Sequence, residues 1–213
     1  MATTPFTSFL NEVLPYVHDC PQFVAVNAIR NAAIEFCDRS GYWQLDVPDV
    51  AEVDGQATYQ VTVPAGTRVV DIHTAWFNEI LIIPHSIEEL NRLFRGVHWR
   101  NLVGQPKFLY SSPDGFVHLV PAPTVSGVVR VRVTLAPTRT STGIDSDIYE
   151  KQAEVIAHGA RARLLGTAGQ PFYDPVQSVS QRTAFLSGCN DAKIRANKAT
   201  SRASVQVEIP RFI

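Results

Sequence analysis

With 213 residues, 45% of them hydrophobic and 18% charged, the chain has apolar material for one large domain or two small ones, and its composition excludes a disordered polymer. Its formal charge of -1 excludes a general electrostatic attraction to nucleic acid or to an anionic membrane. Cys20, Cys37 and Cys189 contain no CxxC pair, so neither a disulfide framework nor a zinc site is indicated. The opening MATTPFTSF has no basic stretch or long apolar run, so the expectation is a soluble, unsecreted protein with no membrane association.

Phe6, Phe9, Leu10, Val13 and Leu14 recur at helical spacing and predict a short helix over 6–17 that Pro15 kinks or ends. After Asp19-Cys20-Pro21, the positions Val26, Ile29, Ala33 and Phe36 predict a second helix, stopped by Ser40-Gly41. From Tyr42 the period changes to two. Tyr59, Val61 and Val63 share one face, and strands are predicted over Arg68 to Phe77 and Ile80 to Ile83, with a turn at Asn78-Glu79. Ser86 to Phe94 reads as a short helix with Ser86 and Glu89 in a capping box, and Pro113-Asp114-Gly115 predicts a hairpin between 107–110 and 116–120. In 128–137, Val129, Val131, Val133 and Leu135 alternate with Arg130, Arg132 and Thr134, so one face is buried and the other is wet or an interface.

Helical spacing then returns. Asp147 with Glu150 can cap a helix bearing Ile148, Val155, Ile156 and Leu164 and ending near Gly166, in which Gly159 and Ala160 permit close packing. Asp174-Pro175 opens a last helix through Val179, Leu186 and Ile194 to about Lys198. Beyond it Val205, Val207 and Ile209 alternate like a strand, which Pro210 limits. The expected class is α+β: a helical bundle from the N- and C-terminal helix pairs (1–42 and 143–200), a β-rich insertion (43–142) and an extended C-terminal tail (201–213).

Chemistry is sparse. His18, His73, His85, His98, His118 and His158 form no HxxxH or HExxH pair. Asp71 and His73 fall two apart on one strand face and Ser86 follows His85, but no nucleophile elbow accompanies them. Glu79, Glu88 and Glu89 supply carboxylates, of which the last two belong to the capped helix, and Gly166 to Pro171 lacks the lysine of a phosphate loop. No catalytic residue, metal ligand or cofactor is assigned. Two surfaces stand out. Lys193, Arg195, Lys198 and Arg202, opposed by Asp191, either complement a helix end or meet an acidic partner or passing DNA. Val205, Val207, Ile209, Phe212 and Ile213 carry apolar area that either folds back on its own core or docks into a neighbouring subunit or partner. Trp76, Trp99 and Tyr110 are either core residues or the platform of a binding module.

An ordered series of segments adds to this reading: NAIRNAAIEFCDRSGYWQLD (Asn27 to Asp46), the stretch Val53 to Asn78, GQPKFLY (Gly104 to Tyr110), VHLVPAPT (Val117 to Thr124), VRVTLAPTRTS (Val131 to Ser141), YEKQAEVIAHGARARLL (Tyr149 to Leu165), PFYDP (Pro171 to Pro175) and VEIPRF (Val207 to Phe212). In order and spacing the series resembles the head-to-tail connector or adaptor proteins of tailed phages, and is similar to the tail tubular A type of short-tailed phages. The resemblance implies a structural, non-enzymatic virion protein at the portal vertex or neck, assembled in the bacterial host cytoplasm. About twelve copies would ring the underside of the portal protein, extend the channel for the packaged DNA and dock a nozzle or tail-tube protein. It also implies that the C-terminal segment reaches toward the portal. The alternatives are a head- or tail-completion protein, a small hydrolase around Asp71, His73 and His85, and a binding module.

Overall fold

A computed structural model describes residues 2–51, 57–112 and 115–198, with side chains at all of these but 48–51 and 198. The chain divides into two compact units, Met1–Trp43 with Thr142–Ile213, and Gln44–Ser141. The architecture is mixed α and β, with five α-helices among the described residues.

In the first unit the segment expected as one helix over 6–17 is instead a single α-turn, α1 (Leu10–Val13), between 3-10 turns at Phe6–Phe9 and Leu14–Tyr16. Pro15 has no N–H to return to the preceding turn, so a continuous α-helix cannot form there. Phe6, Phe9, Val13 and Val17 are nonetheless buried. Helix α2 (Gln22–Ser40) ends as expected at Gly41, whose φ of 59° suits a left-handed cap and whose N–H donates to the Cys37 carbonyl at 3.0 Å. Its buried stripe is mostly small: Ala25, Ala28, Ile29, Ala32, Ala33, Phe36 and Cys37.

Helix α4 (Ser146–Leu165) is capped by Asp145, whose carboxylate accepts from the Asp147 N–H at 2.9 Å. The expected cap at Asp147 is therefore displaced by two residues, and Asp147 instead pairs with Lys151 at 2.8 Å. Just before it a two-stranded ladder, β1 (Thr3–Pro5) with β9 (Gly143–Asp145), joins the starts of this unit's two segments. The expected small-residue contact is present: a Cβ on Gly159 would lie 2.7 Å from Phe185 Cδ2 and 3.0 Å from Ala32 Cβ, so α2, α4 and α5 (Pro175–Lys198) meet where Gly159 has no side chain. Gly188 on α5 plays the same part against Val155, at 2.7 Å.

Asp174 caps α5 as expected, accepting from the Gln177 N–H at 2.9 Å. The buried face of that helix differs from expectation. Phe185, Cys189 and Ala192 are buried, Leu186 is half-buried, and Val179 and Ile194 are exposed. The packed face is Phe185 with the small Cys189 and Ala192, and the aliphatics Val179 and Ile194 are turned outward. Cys20, Cys37 and Cys189 are all buried and none is in a disulfide, and burial pushes the Cys189 thiol up to about 11.

Glu35 on α2 ties these helices together. Its carboxylate accepts from Arg39 Nε (2.7 Å), Arg163 Nη2 on α4 (2.6 Å) and both terminal nitrogens of Arg182 on α5 (2.6 and 2.9 Å). The Arg182 hydrogen bonds, aided by those of Arg39 and Arg163, outweigh burial and hold Glu35 at about 2. Arg161 makes a second tie. Buried on α4, it donates from Nε to the Glu12 carbonyl at 2.8 Å and lies 3.9 Å from the Tyr16 ring centroid. Its own desolvation lowers its pKa, so this contact is bought against the loss of water.

The second unit is a curled seven-stranded sheet in the order β2-β8-β4-β5-β6-β7-β3, from β2 (Gln44–Ala51), β3 (Thr58–Gln60), β4 (Thr67–Phe77), β5 (Ile80–Pro84), β6 (Phe108–Ser111), β7 (Phe116–Val120) and β8 (Val128–Pro137). All pairs are antiparallel except β5 with β6, which is parallel and so requires a crossover. That crossover contains α3 (Ile87–Leu93), with the Ser86–Glu89 capping box expected from the sequence. Asn78 and Glu79 turn the β4–β5 hairpin at φ 48° and 65°, and Asn78 Oδ1 accepts from the Val128 N–H at 2.9 Å. The β6–β7 hairpin forms as expected, with Gly115 at φ 84°; residues 113 and 114 lie outside the described residues. Strand β3 stops at Gln60, so Val61 and Val63 fall beyond it, where Pro64 cannot donate to a ladder. On β8 Val129, Val131, Val133 and Leu135 are buried as expected, but Thr134 is buried too and shares a 2.6 Å hydrogen bond with His73 Nε2.

Glu35→Gln is expected to lower stability at neutral pH by about 3 kcal/mol. Because the folded pKa is depressed, the wild-type contribution is complete above about 4.5 and is lost as pH falls toward about 2, so the variant's acid limb should be flatter. Urea titrations at neutral pH and near about pH 3 measure both. Gly159→Val should lower the melting midpoint, at about 1–3 kcal/mol, by forcing methyls against Phe185 and Ala32.

Candidate interaction surfaces

Asp71, His73 and His85, the grouping that motivated a hydrolase, do line one depression of about 500 Å³, with Ser86, Tyr110 and Ser111. Each is already engaged in a way that explains it structurally. Asp71 Oδ1 accepts from the Ile72 N–H at 2.8 Å, and His73 is bonded to Thr134. His85 Nδ1 lies 3.4 Å from Glu89 Oε2, and that same carboxylate accepts the Ser86 N–H at 2.8 Å. The Ser86 backbone and hydroxyl, then His85, hold Glu89 below the usual carboxylate range. Ser86 Oγ is bound to the Glu89 carboxylate at 3.0 Å, so the hydroxyl serves the helix cap and no imidazole activates it.

The aromatic candidates divide. Trp99 is buried, its indole N–H donating to Asn91 Oδ1 at 2.9 Å, and it meets Tyr110 edge-on. Tyr110 stacks on His118 at 4.5 Å and 10°. Trp76 is half-buried on an outward sheet face, between Leu81 on β5 and Arg130 on β8. Leu81 is 57% exposed and Ile83 51%. Arg132 donates to both Asp46 oxygens (2.6 and 3.0 Å) across that face, lowering Asp46, and Glu79 pairs with Arg130 at 3.5 Å.

On the first unit, Val176, Val179 and Ile194 expose apolar surface along α5, Val176 at 80%. Lys193 and Arg195 are exposed on the same helix, but two residues of separation turn them about 200° apart, so the pair does not form one patch. Lys198 ends the described helix without a described side chain. Arg202, Val205, Val207, Ile209, Phe212 and Ile213 lie outside the described residues. Sequence reasoning missed the Glu35 and Arg161 ties, whose partners are far apart in the chain. It also passed over Arg92, Arg95 and Arg100, although the lack of any acidic residue between Glu89 and Asp114 was a readable signal.

Among the described residues, no group of three or more His, Cys, Asp or Glu side chains could hold a metal ion, and no helix is long and apolar enough to cross a membrane. The molecule presents surfaces. A family model for the SU10 adaptor protein matches residues 4–208. The chain belongs to the SU10 adaptor protein family. No curated protein matches it. Membership of the SU10 adaptor family bears out the resemblance at the level of a phage adaptor, and an adaptor family implies structural, non-enzymatic work among virion proteins.

Replacing Asp71, His73 and His85 together by alanine is expected to leave binding to other virion proteins unchanged and to lower stability by about 1–3 kcal/mol, chiefly because the buried Thr134 hydroxyl loses its His73 partner. Pull-down with the portal and a urea titration check the two halves of this expectation.

Proposed function

We propose that this protein is the head-to-tail adaptor of a tailed bacteriophage, of the tail tubular A kind. About twelve copies ring the underside of the portal protein, extend the channel for the packaged DNA and dock the nozzle or tail-tube protein. The observation that carries the reading is the SU10 adaptor match over residues 4–208, nearly the whole chain. The exposed aliphatics of α5 and of the outward sheet face are in keeping with it, since such area is more useful against a partner than in water.

In this reading, the segments 1–42 and 143–200 form a helical body against the portal and the insertion 43–142 faces outward or tailward. The tail residues Val205, Val207, Ile209, Phe212 and Ile213 lock into the portal or a neighbouring copy. Lys193, Arg195, Lys198 and Arg202 meet an acidic partner or the DNA, without reading its sequence. The mechanism is geometric: modest contacts, repeated around a closed ring, add through avidity. The protein is assembled in the host cytoplasm and resides at the portal vertex.

Negative-stain microscopy of the purified protein mixed with the portal from the same genome should show a second ring stacked on the first. Truncation after Thr200 should abolish it. Undecorated portals with the full chain would overturn the reading.

A further inference from the structure

Between β5 and β6 the chain leaves the sheet, and from Asn91 to Lys107 its only formal charges are positive: Arg92, Arg95, Arg100 and Lys107, with His98 among them. All five side chains are exposed, and among the described residues none of the four cations is in an ion pair. Of the two acids on α3, Glu89 is committed to the Ser86 cap, which leaves Glu88 against four cations.

The excursion is also held in place. Leu90, Trp99 and Val120 form its packed base, with Phe94, Leu102, Phe108 and Tyr110 around them. Its return limb is stitched to the chain that follows β7: the Gly104 N–H donates to the Ala122 carbonyl at 2.8 Å, and the Ala122 N–H donates to the Leu102 carbonyl at 2.9 Å. Arg100 lies over the base, its guanidinium carbon 4.4 Å from the Trp99 ring centroid. A surface ordered before it binds spends less entropy on association.

Phe94, Val97, His98, Trp99, Arg100 and Asn101 line a depression of about 360 Å³ on this base. Apolar side chains stand in water on the same excursion, with Leu93 57%, Val97 52% and Val103 66% exposed. They decide between anionic partners. A DNA backbone engages the cations alone and would leave three aliphatics in water, whereas a protein face that interleaves carboxylates with aliphatics satisfies both kinds of group. The planar fork of each arginine is matched to a carboxylate.

We propose that the 91–107 excursion is the docking site for the tail-side protein, which presents to it an acidic segment bearing aliphatic anchors. One anchor enters the depression beside Trp99, and the carboxylates flanking it meet Arg92, Arg95 and Arg100. The identity of the partner rests on the adaptor reading given above; the chemistry of the site rests on these residues alone.

Adaptor assembled on portals from the same genome is titrated with the nozzle or tail-tube protein, and binding is read by sedimentation velocity in about 50 and about 500 mM salt. Wild-type affinity should fall at least about tenfold in the higher salt. R92E/R95E/R100E should keep the wild-type circular dichroism and its place on the portal, and should bind the tail-side protein at least about tenfold more weakly. V97S/V103S changes two exposed side chains outside the packed base and should weaken binding about threefold or more. Unchanged binding of the tail-side protein by either variant overturns the inference and leaves the adaptor role standing. Loss of duplex-DNA binding by R92E/R95E/R100E with tail-side binding intact also overturns it and assigns the patch to DNA. If the wild-type chain does not assemble on portals, the adaptor reading falls, and the free chain is titrated with the same tail-side protein. Salt-dependent binding that R92E/R95E/R100E abolishes would then keep the docking site, and absence of binding would overturn it.

Discussion

The carboxylate of Glu35 sets the arrangement of the first unit. It is reached by a guanidinium from its own helix and by one from each of α4 and α5, and those distances are met only if the three helices lie close. Gly159 and Gly188 allow that approach, since a side chain at either would collide with Phe185 or Val155. One acid against three partly exposed arginines leaves the cluster positive, so its strength comes from geometry: a bidentate Arg182 contact plus two single ones around a carboxylate that is mostly out of water.

That tie also decides what α5 shows to the outside. Turning Arg182 toward Glu35 puts Phe185, Cys189 and Ala192 into the core, and it commits Val176, Val179 and Ile194 to the surface. The outward apolar face is thus a consequence of how the helix is held, and it is available to a partner. In the second unit, the crossover that the parallel β5–β6 pair requires leaves the sheet as a cationic, partly apolar excursion. Glu35, Arg161 and Asp145 in the first unit and Glu89 and Asp46 in the second serve ties and caps, and the exposed aliphatics and cations that remain are suited to assembly. This agrees with the kind of work an SU10 adaptor family member does.

Element types were largely legible in the sequence. The Gly41 stop, the Ser86–Glu89 capping box, the Asn78-Glu79 turn and the Asp174-Pro175 start are local signals, written within four residues, and each appears where the pattern placed it. The alternation in β8 located its buried face through Val129, Val131, Val133 and Leu135. The α4 cap slipped from Asp147 to Asp145 because both aspartates suit the role, and the choice depends on where the ladder of β1 with β9 releases the chain. Thr134 was read as wet because its pattern is polar; a histidine from the neighbouring strand lets it be buried.

By itself the sequence determined the elements, their ends and the scarcity of chemical motifs, because caps, turns and periodicity are properties of neighbouring residues. Only the tertiary structure decided which face of α5 is buried, which charges are tied and which are left unpaired. Glu35 and Arg182 are 147 positions apart, and Arg161 and the Glu12 carbonyl 149. No local pattern encodes such a meeting, since it exists only when the helices that carry those groups are packed within hydrogen-bond reach.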